Sequence, residues 1–220
     1  MCEITDVSPS IEIKQRVRKE LGLDDERIKV AVAGIKNWME LQPHLPEEDD
    51  GRLERWLIRC KNNMEKTKHT LDMYYSLKTR IPELMSNWDL DETWAQEIFN
   101  QGFIALMPRI CEDYNLKDII IIDFKNITAK SVLRITLPAV KKFADCALKG
   151  YNMRIRSMHI INSTPITEVL VTIIKTILRN KLVERLHVHG SDLTELYKHV
   201  PRSTLPKEYG GENGTVIQHD

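Results

Sequence analysis

Asp118-Ile119-Ile120-Ile121-Ile122-Asp123 sets four β-branched residues in a row between two carboxylates. A run this short and apolar, bounded by charge, reads as a strand buried on both faces in a parallel sheet. Two more strands follow at crossover spacing. Met153 to Ile161 is the second, with Arg154 and Arg156 on one face and Ile155 and Ser157 on the other, and Leu186-Val188 is the third. Thr128 can cap a helical stretch reaching Leu148, with a break expected at Pro138 and a stop at Gly150. Thr164-Pro165 opens the next helix, because proline loses nothing where the first N–H has no partner. Ser191 can cap a last helix that ends before Pro201. The order strand, helix, strand, helix, strand predicts an α/β domain with right-handed parallel crossovers.

Upstream the pattern is helical. Ser10 can cap a helix with Ile13, Val17 and Leu21 on one face and Gly22 at its end. Asp24 can start a second, in which Ile28, Val32, Ile35 and Met39 form a stripe that stops before Pro43 and Pro46. The acidic run Glu47 to Asp50 suits the positive end of a third helix, whose buried face is Leu53, Trp56, Leu57 and Cys60. A fourth runs from about Met64 to Pro82. Trp94 and Ile98 suggest another, followed by the apolar run Phe103 to Met107. The expected domains are a helical bundle over 1–86, an α/β domain over 87–211 and a polar tail over 212–220.

With 220 residues, 42% of them hydrophobic and only 9 Gly and 9 Pro, the chain has the composition of a folded globular protein. The N-terminus lacks the basic start and apolar run of a secretory signal, no apolar stretch is long enough to span a bilayer, and the four cysteines show no Cys-x-x-Cys spacing. A cytoplasmic location with reduced thiols is expected. No glycine-rich phosphate loop follows any strand, and Gly190-Ser191-Asp192 is not a nucleophile elbow, so neither a nucleotide cofactor nor an enzymatic activity is expected. His187 and His189 point to one side of a strand, with His159 on its neighbour as a possible third metal ligand. No carboxylate of suitable spacing accompanies them, and imidazoles filling a half-polar wall are the better reading, so no metal is expected.

The helix opened by Thr164-Pro165 is apolar around most of its circumference, through Ile166, Val169, Leu170, Val171, Ile173, Ile174, Ile177 and Leu178. Such a helix must be covered or must cover something. The charge around it is polarised although the whole chain is neutral. From Phe124 to Arg185 there are twelve basic residues against Asp145, Glu168 and Glu184, so this stretch is +9 and the remainder −9. A greasy helix among clustered cations suits an anionic membrane surface. Nucleic acid is not the expected partner, since no aromatic residues for base stacking are interleaved.

Several blocks together resemble the CRAL-TRIO lipid-binding family: Ile119 to Phe124, Met158-His159-Ile160-Ile161-Asn162, Leu186-His187-Val188-His189-Gly190-Ser191 and Leu205-Pro206-Lys207-Glu208-Tyr209-Gly210-Gly211. The branch most similar is that of the cellular retinaldehyde-binding and α-tocopherol transfer proteins. The helical half resembles the family's N-terminal bundle through Leu53 to Lys61 and Met64-Glu65-Lys66.

The resemblance implies a parallel sheet that floors an apolar cavity for one hydrophobic ligand of tocopherol, retinoid or carotenoid kind. It implies a mobile gate helix, here 164–178, with Ile166, Val169, Leu170, Ile173, Ile174 and Ile177 as gate and cavity residues. It also implies a phosphatidylinositol bisphosphate site, whose basic positions fall on Arg154, Arg156, Lys181 and Arg185, and peripheral docking on intracellular membranes. One departure stands out. The family places a strand, a loop and a long helix before the buried strand, where here only Arg109 to Lys117 intervene, so an internal segment near Cys111 and Tyr114 is missing. The expected alternative to a carrier is therefore a membrane-recruited interaction module, or a defective isoform, without a closed cavity.

Overall fold

The isoleucine run is a strand, β1 (Asp118–Asp123). It opens a small parallel sheet in the order β1–β2–β3, with β2 at Ile155–Ile161 and β3 at Leu186–Val188. The computed structural model describes residues 11–82, 114 and 116–212. Ser10, the 86/87 boundary, the Trp94–Ile98 helix, the run Phe103 to Met107, Cys2, Cys111 and residues 213–220 lie outside the described residues.

One expectation about β1 is corrected. All six of its residues are half-buried rather than sunk on both faces. Among the described residues β1 is an edge strand with β2 as its one neighbour, and an edge strand keeps part of each side chain open. The strand sealed on both sides is β2, where every residue but Arg156 is buried.

The chain divides into two compact units. The described part of the first includes four helices: α1 (Ile11–Glu20), α2 (Asp25–Glu40), α3 (Asp50–Arg59) and α4 (Met64–Arg80). Their starts are fixed by short polar side chains. Asp24, Asp49 and Asn63 each accept the backbone N–H three residues on, at 2.7–2.8 Å, which stabilises each helix by about 1 kcal/mol. Gly22 ends α1 in the left-handed region at φ 63°, where a side chain would be strained. The apolar stripes meet in one core around Ile35, Leu53, Trp56, Leu57 and Leu71.

Residues 138–154, from the crossover between β1 and β2, also belong to this unit. The helical stretch after Thr128 is broken, as the proline implied, into α5 (Ala129–Arg134) and α6 (Leu137–Asp145). A π-helical turn, Cys146–Gly150, then places Cys146, Ala147 and Tyr151 in the helical core. Neither Cys60 nor Cys146 is in a disulfide.

The second unit contains β1 from Ile119, β2, β3 and the chain beyond. It holds α7 (Glu168–Ile177), α8 (Asn180–Val183) and α9 (Thr194–Tyr197). Two helix starts differ from expectation. The helix opened by Thr164-Pro165 begins at Glu168, because Thr164 and Thr167 close a turn first: the Thr167 hydroxyl accepts the Thr164 N–H at 2.8 Å. The last helix is only four residues long, and Asp192 rather than Ser191 accepts its first N–H, that of Thr194, at 2.9 Å.

Two buried charges in the first unit, Glu54 and Arg59, are paired. Glu54 accepts Arg18 at 2.6 Å and Lys14 at 3.0 Å, tying α1 to α3. Burial alone would raise the Glu54 carboxyl, but those two cations outweigh it and hold the pKa below the usual carboxylate value. Arg59, at the end of α3, donates to the Tyr151 carbonyl at 3.0 Å and to the Asp118 carboxylate at 3.1 Å. Asp118 also accepts the Arg154 N–H at 2.7 Å. Arg59→Met should destabilise the fold by about 3–5 kcal/mol, since it leaves the Asp118 carboxylate, only 12% exposed, without its cation. A urea titration checks it; a loss below about 1 kcal/mol, the worth of an exposed pair, would show that the pair is not structural.

Candidate functional site

The helix α7 has two characters. Its inner face is packed, with Leu170 2% exposed, Val171 buried and Ile174 at the buried limit. At its start and in the turn before it the chain is open: Ile166 in that turn is 52% exposed and Val169 55%. Ile173 and Ile177 are half-buried, and Thr172, Lys175 and Thr176 face solvent. The all-round greasiness thus resolves into a covered face and an uncovered apolar edge beside the helix start.

The candidate headgroup residues are placed as follows. Arg156 is the exposed residue of β2, and Lys181 and Arg185 are exposed on and just after α8. Arg185 is partly restrained, since its Nη1 donates to the Ile155 carbonyl at 2.6 Å. These three belong to the second unit and Arg154 to the first. Arg154 is half-buried, and among the described residues its buried Nε has no hydrogen-bond partner. Burial foremost, with Arg59 adding to it, lowers the Arg154 pKa below the usual guanidinium value. The Nε–H of Arg154 is thus a donor left without an acceptor among the described residues.

At the far end of β1, Asp123 gathers three partners. It accepts the Asn162 side chain at 2.7 Å and the Lys125 N–H at 2.8 Å, and it bonds the Tyr209 hydroxyl. Burial first, then the Asp123 charge, pushes the Tyr209 phenol up to about 12. Asn162 takes a left-handed φ of 55°, which asparagine tolerates better than most residues. Gly211 follows Tyr209 because a Cβ there would lie 1.8 Å from the Leu205 carbonyl oxygen. Asp123, Asn162, Tyr209 and Gly211 each lie in a block that resembles the family, but nothing in the sequence couples them.

The histidines do come together. The β2–β3 register sets His159 opposite His187, and their rings stack at 4.9 Å. His189 stacks on His159 at 5.3 Å. A fourth ring, His199, lies 4.5 Å from His187. It comes from the turn after α9, and no periodicity in the sequence signals it. Among the described residues no group of His, Cys, Asp or Glu is arranged to hold a metal ion.

A small parallel sheet whose strand ends carry these blocks, with an apolar helix in the crossover between β2 and β3, is the arrangement expected of a lipid-binding α/β domain. Residues 56–211 match the CRAL/TRIO domain, and the chain belongs to that family. Lipid binding and transfer is the general activity of its members. The chain is 25% identical over 257 residues to an alpha-tocopherol transfer protein-like protein of Mus musculus, a match covering 98% of this chain and 73% of the relative. The Homo sapiens protein of the same name is 26% identical over 207 residues, covering 76% of this chain and 60% of its own length. Clavesin-1 of Rattus norvegicus is 30% identical over 130 residues, 57% of this chain and 36% of clavesin-1. The mouse match is longer than this 220-residue chain, so dozens of positions in that relative have no counterpart here.

Substitutions on α7 should separate its two faces. Leu170→Asp should abolish cooperative melting, since a buried unpaired carboxylate costs several kcal/mol. Ile166→Asp and Val169→Asp should each stay within about 0.5 kcal/mol of the parent. Circular dichroism melts check both outcomes, and equal losses at all three positions would show that no open edge exists.

Proposed function

We propose that this protein carries one hydrophobic small molecule, of tocopherol, retinoid or carotenoid kind, and exchanges it at membranes bearing phosphatidylinositol bisphosphate. The carrying observation is that the open apolar edge of α7, Ile166 and Val169, belongs to the same unit as the exposed cations Arg156, Lys181 and Arg185. Apolar insertion contributes about 0.8 kcal/mol per buried methylene, and each cation near an anionic leaflet about 1 kcal/mol. The two terms add on a bilayer and on few other surfaces. The +9 charge of the stretch from Phe124 to Arg185 supplies the wider field, which salt screens. Arg154 lies in the other unit, and the resemblance alone brings it into the proposal. In this reading α7 is the gate, with Ile166, Val169, Leu170, Ile173, Ile174 and Ile177 moving between the ligand and the membrane. No catalytic residue is needed. The work is done in the cytoplasm and at the faces of intracellular membranes, and among the described residues no helix is long and apolar enough to cross one. The domain plan that goes with it is a bundle over 1–86, the lipid-binding domain over 87–211 and a tail over 212–220.

A second reading, a membrane-recruited module without a closed cavity, is favoured by the dozens of positions in the mouse relative that this chain lacks. Native mass spectrometry of the protein purified from its own tissue separates the two: a stoichiometric lipid supports the carrier, and a lipid-free protein that still binds vesicles supports the module. The headgroup site is tested by cosedimentation with vesicles containing phosphatidylinositol bisphosphate. The triple variant Arg156→Ala, Lys181→Ala, Arg185→Ala should lose about 3 kcal/mol of vesicle affinity if the three terms add. Binding equal to the parent's at low salt would remove the site from the proposal.

A further inference from the structure

We propose that the four-histidine stack of the second unit is a proton-operated latch, which holds the root of α7 while neutral and loosens it when it takes up protons. The inference is independent of which lipid or headgroup the protein binds.

The stack is sealed at its centre and open at its rim. His159 is fully buried, His189 is buried, His187 is half-buried and His199 is exposed. Both nitrogens of His159 are engaged, Nδ1 with His189 Nε2 at 3.0 Å and Nε2 with the Ser157 hydroxyl at 3.0 Å. Rings that lie nearly parallel, 16° and 17° apart, aim their nitrogens edgewise rather than at one shared point, which is a packing arrangement and not a ligand set. Neutral imidazoles stack without penalty, whereas neighbouring imidazoliums at about 5 Å repel.

The groups facing the stack offer little compensation. From β2 they are Ser157 and His159; from β3 and the residue after it, His187 and His189; from α9 and its following turn, Glu195 and His199. Among the described residues Glu195 is the one carboxylate that acts on the stack, through His189, and it is held by Lys198 at 2.6 Å. Burial first and the neighbouring rings second lower His159 to about 4, and burial chiefly lowers His187 and His189 as well. The sign follows by linkage. Below about pH 6.5 an unfolded or opened stack binds protons that the closed one refuses, so closure is fully stable above that pH and weakens as pH falls toward 4.

The mechanical link to α7 runs through the backbone of His189 and Gly190. The His189 N–H donates to the Ile160 carbonyl at 2.7 Å, the Ser163 N–H donates to the His189 carbonyl at 3.0 Å, and the Asn162 N–H donates to the Gly190 carbonyl at 3.0 Å. Ser163 in turn meets the Thr167 hydroxyl at 3.2 Å, and Thr167 is fully buried in the turn that opens α7. A shift of His189 therefore releases the residues that seat the helix.

Hydrogen exchange read by mass spectrometry, near pH 7.5 and about pH 5 and corrected for intrinsic rates, tests the latch. Peptides covering 163–177 should lose protection about ten-fold between the two pH values, while peptides of α3 hold theirs. Unchanged protection at 163–177, or equal loss in α3, overturns the proposal. His159→Phe keeps a stacked ring that cannot be protonated and should flatten the response; a full response in that variant also overturns it. Should His159→Phe fail to fold, His187→Gln with His199→Gln removes two repelling neighbours and should move the midpoint to lower pH. A midpoint that does not move in that double variant counts equally against the latch.

Discussion

The two carboxylates that bound β1 fix what its isoleucines cannot. A strand reading Ile-Ile-Ile-Ile has no alternation, so a slip of one residue presents the same side chain to the same neighbour, and the pattern alone leaves register open. Asp118 removes that freedom at one end by taking Arg59 and the Arg154 N–H. Asp123 removes it at the other by taking Asn162, Lys125 and Tyr209. A shift by a single residue would break both sets and strand a buried Arg59. The polar ends of the strand are thus what makes the apolar middle specific. Burial supplies most of the stability, and these bonds select which buried arrangement is reached.

Asp123 also explains why the chain returns to the sheet after β3. Ile161, Leu196, Val200 and Leu205 form a small core, with Ile119, Ile121 and Tyr209 packed against it. That core is held shut from outside by Tyr209. Its hydroxyl bonds Asp123, and its carbonyl accepts the Tyr197 hydroxyl at 3.1 Å. Pairing a terminal segment with an edge strand in this way covers one face of β1 without adding a further strand. It suits a chain in which a segment found in the mouse relative is absent.

Much of this was legible in the sequence, and what was not has identifiable causes. Asp24, the acidic start of α3 and the Pro138 break declared themselves because capping, helix-end charge and proline geometry are local and need no tertiary partner. The three strands were legible for a related reason, since β-branched runs between turn residues have few alternatives. The exposure of β1 was not, because burial depends on how many neighbours a strand finds. Nor was the start of α7 at Glu168: Pro165 is compatible with a first helical turn, but the Thr167 hydroxyl competes for the Thr164 N–H and wins. His159, His187 and His189 could be placed on one side by strand period, while His199 could not, since it reaches the stack from an irregular turn. The Asp123–Asn162–Tyr209 clamp was visible only as blocks of a family resemblance. Its members are 39 and 47 residues apart, and no local rule couples them.

What α7 can do follows from how little holds it. Its packed face rests on Leu170, Val171 and Ile174, and fully exposing side chains of this kind to water costs about 1.5–3 kcal/mol each. Lifting the helix into water is therefore prohibitive at ordinary stabilities of about 5–15 kcal/mol. A bilayer changes the comparison, because lipid tails are as apolar as the protein interior and return nearly all of that cost to the same three side chains. In the proposed carrier Ile166 and Val169 would tip the difference toward insertion, since they stand exposed in water. In the carrier reading the composition of the helix by itself favours the closed state in solution and the open state on a membrane. In that reading the cations of the same unit, Arg156, Lys181 and Arg185, would choose the membrane, and the apolar residues would decide the opening.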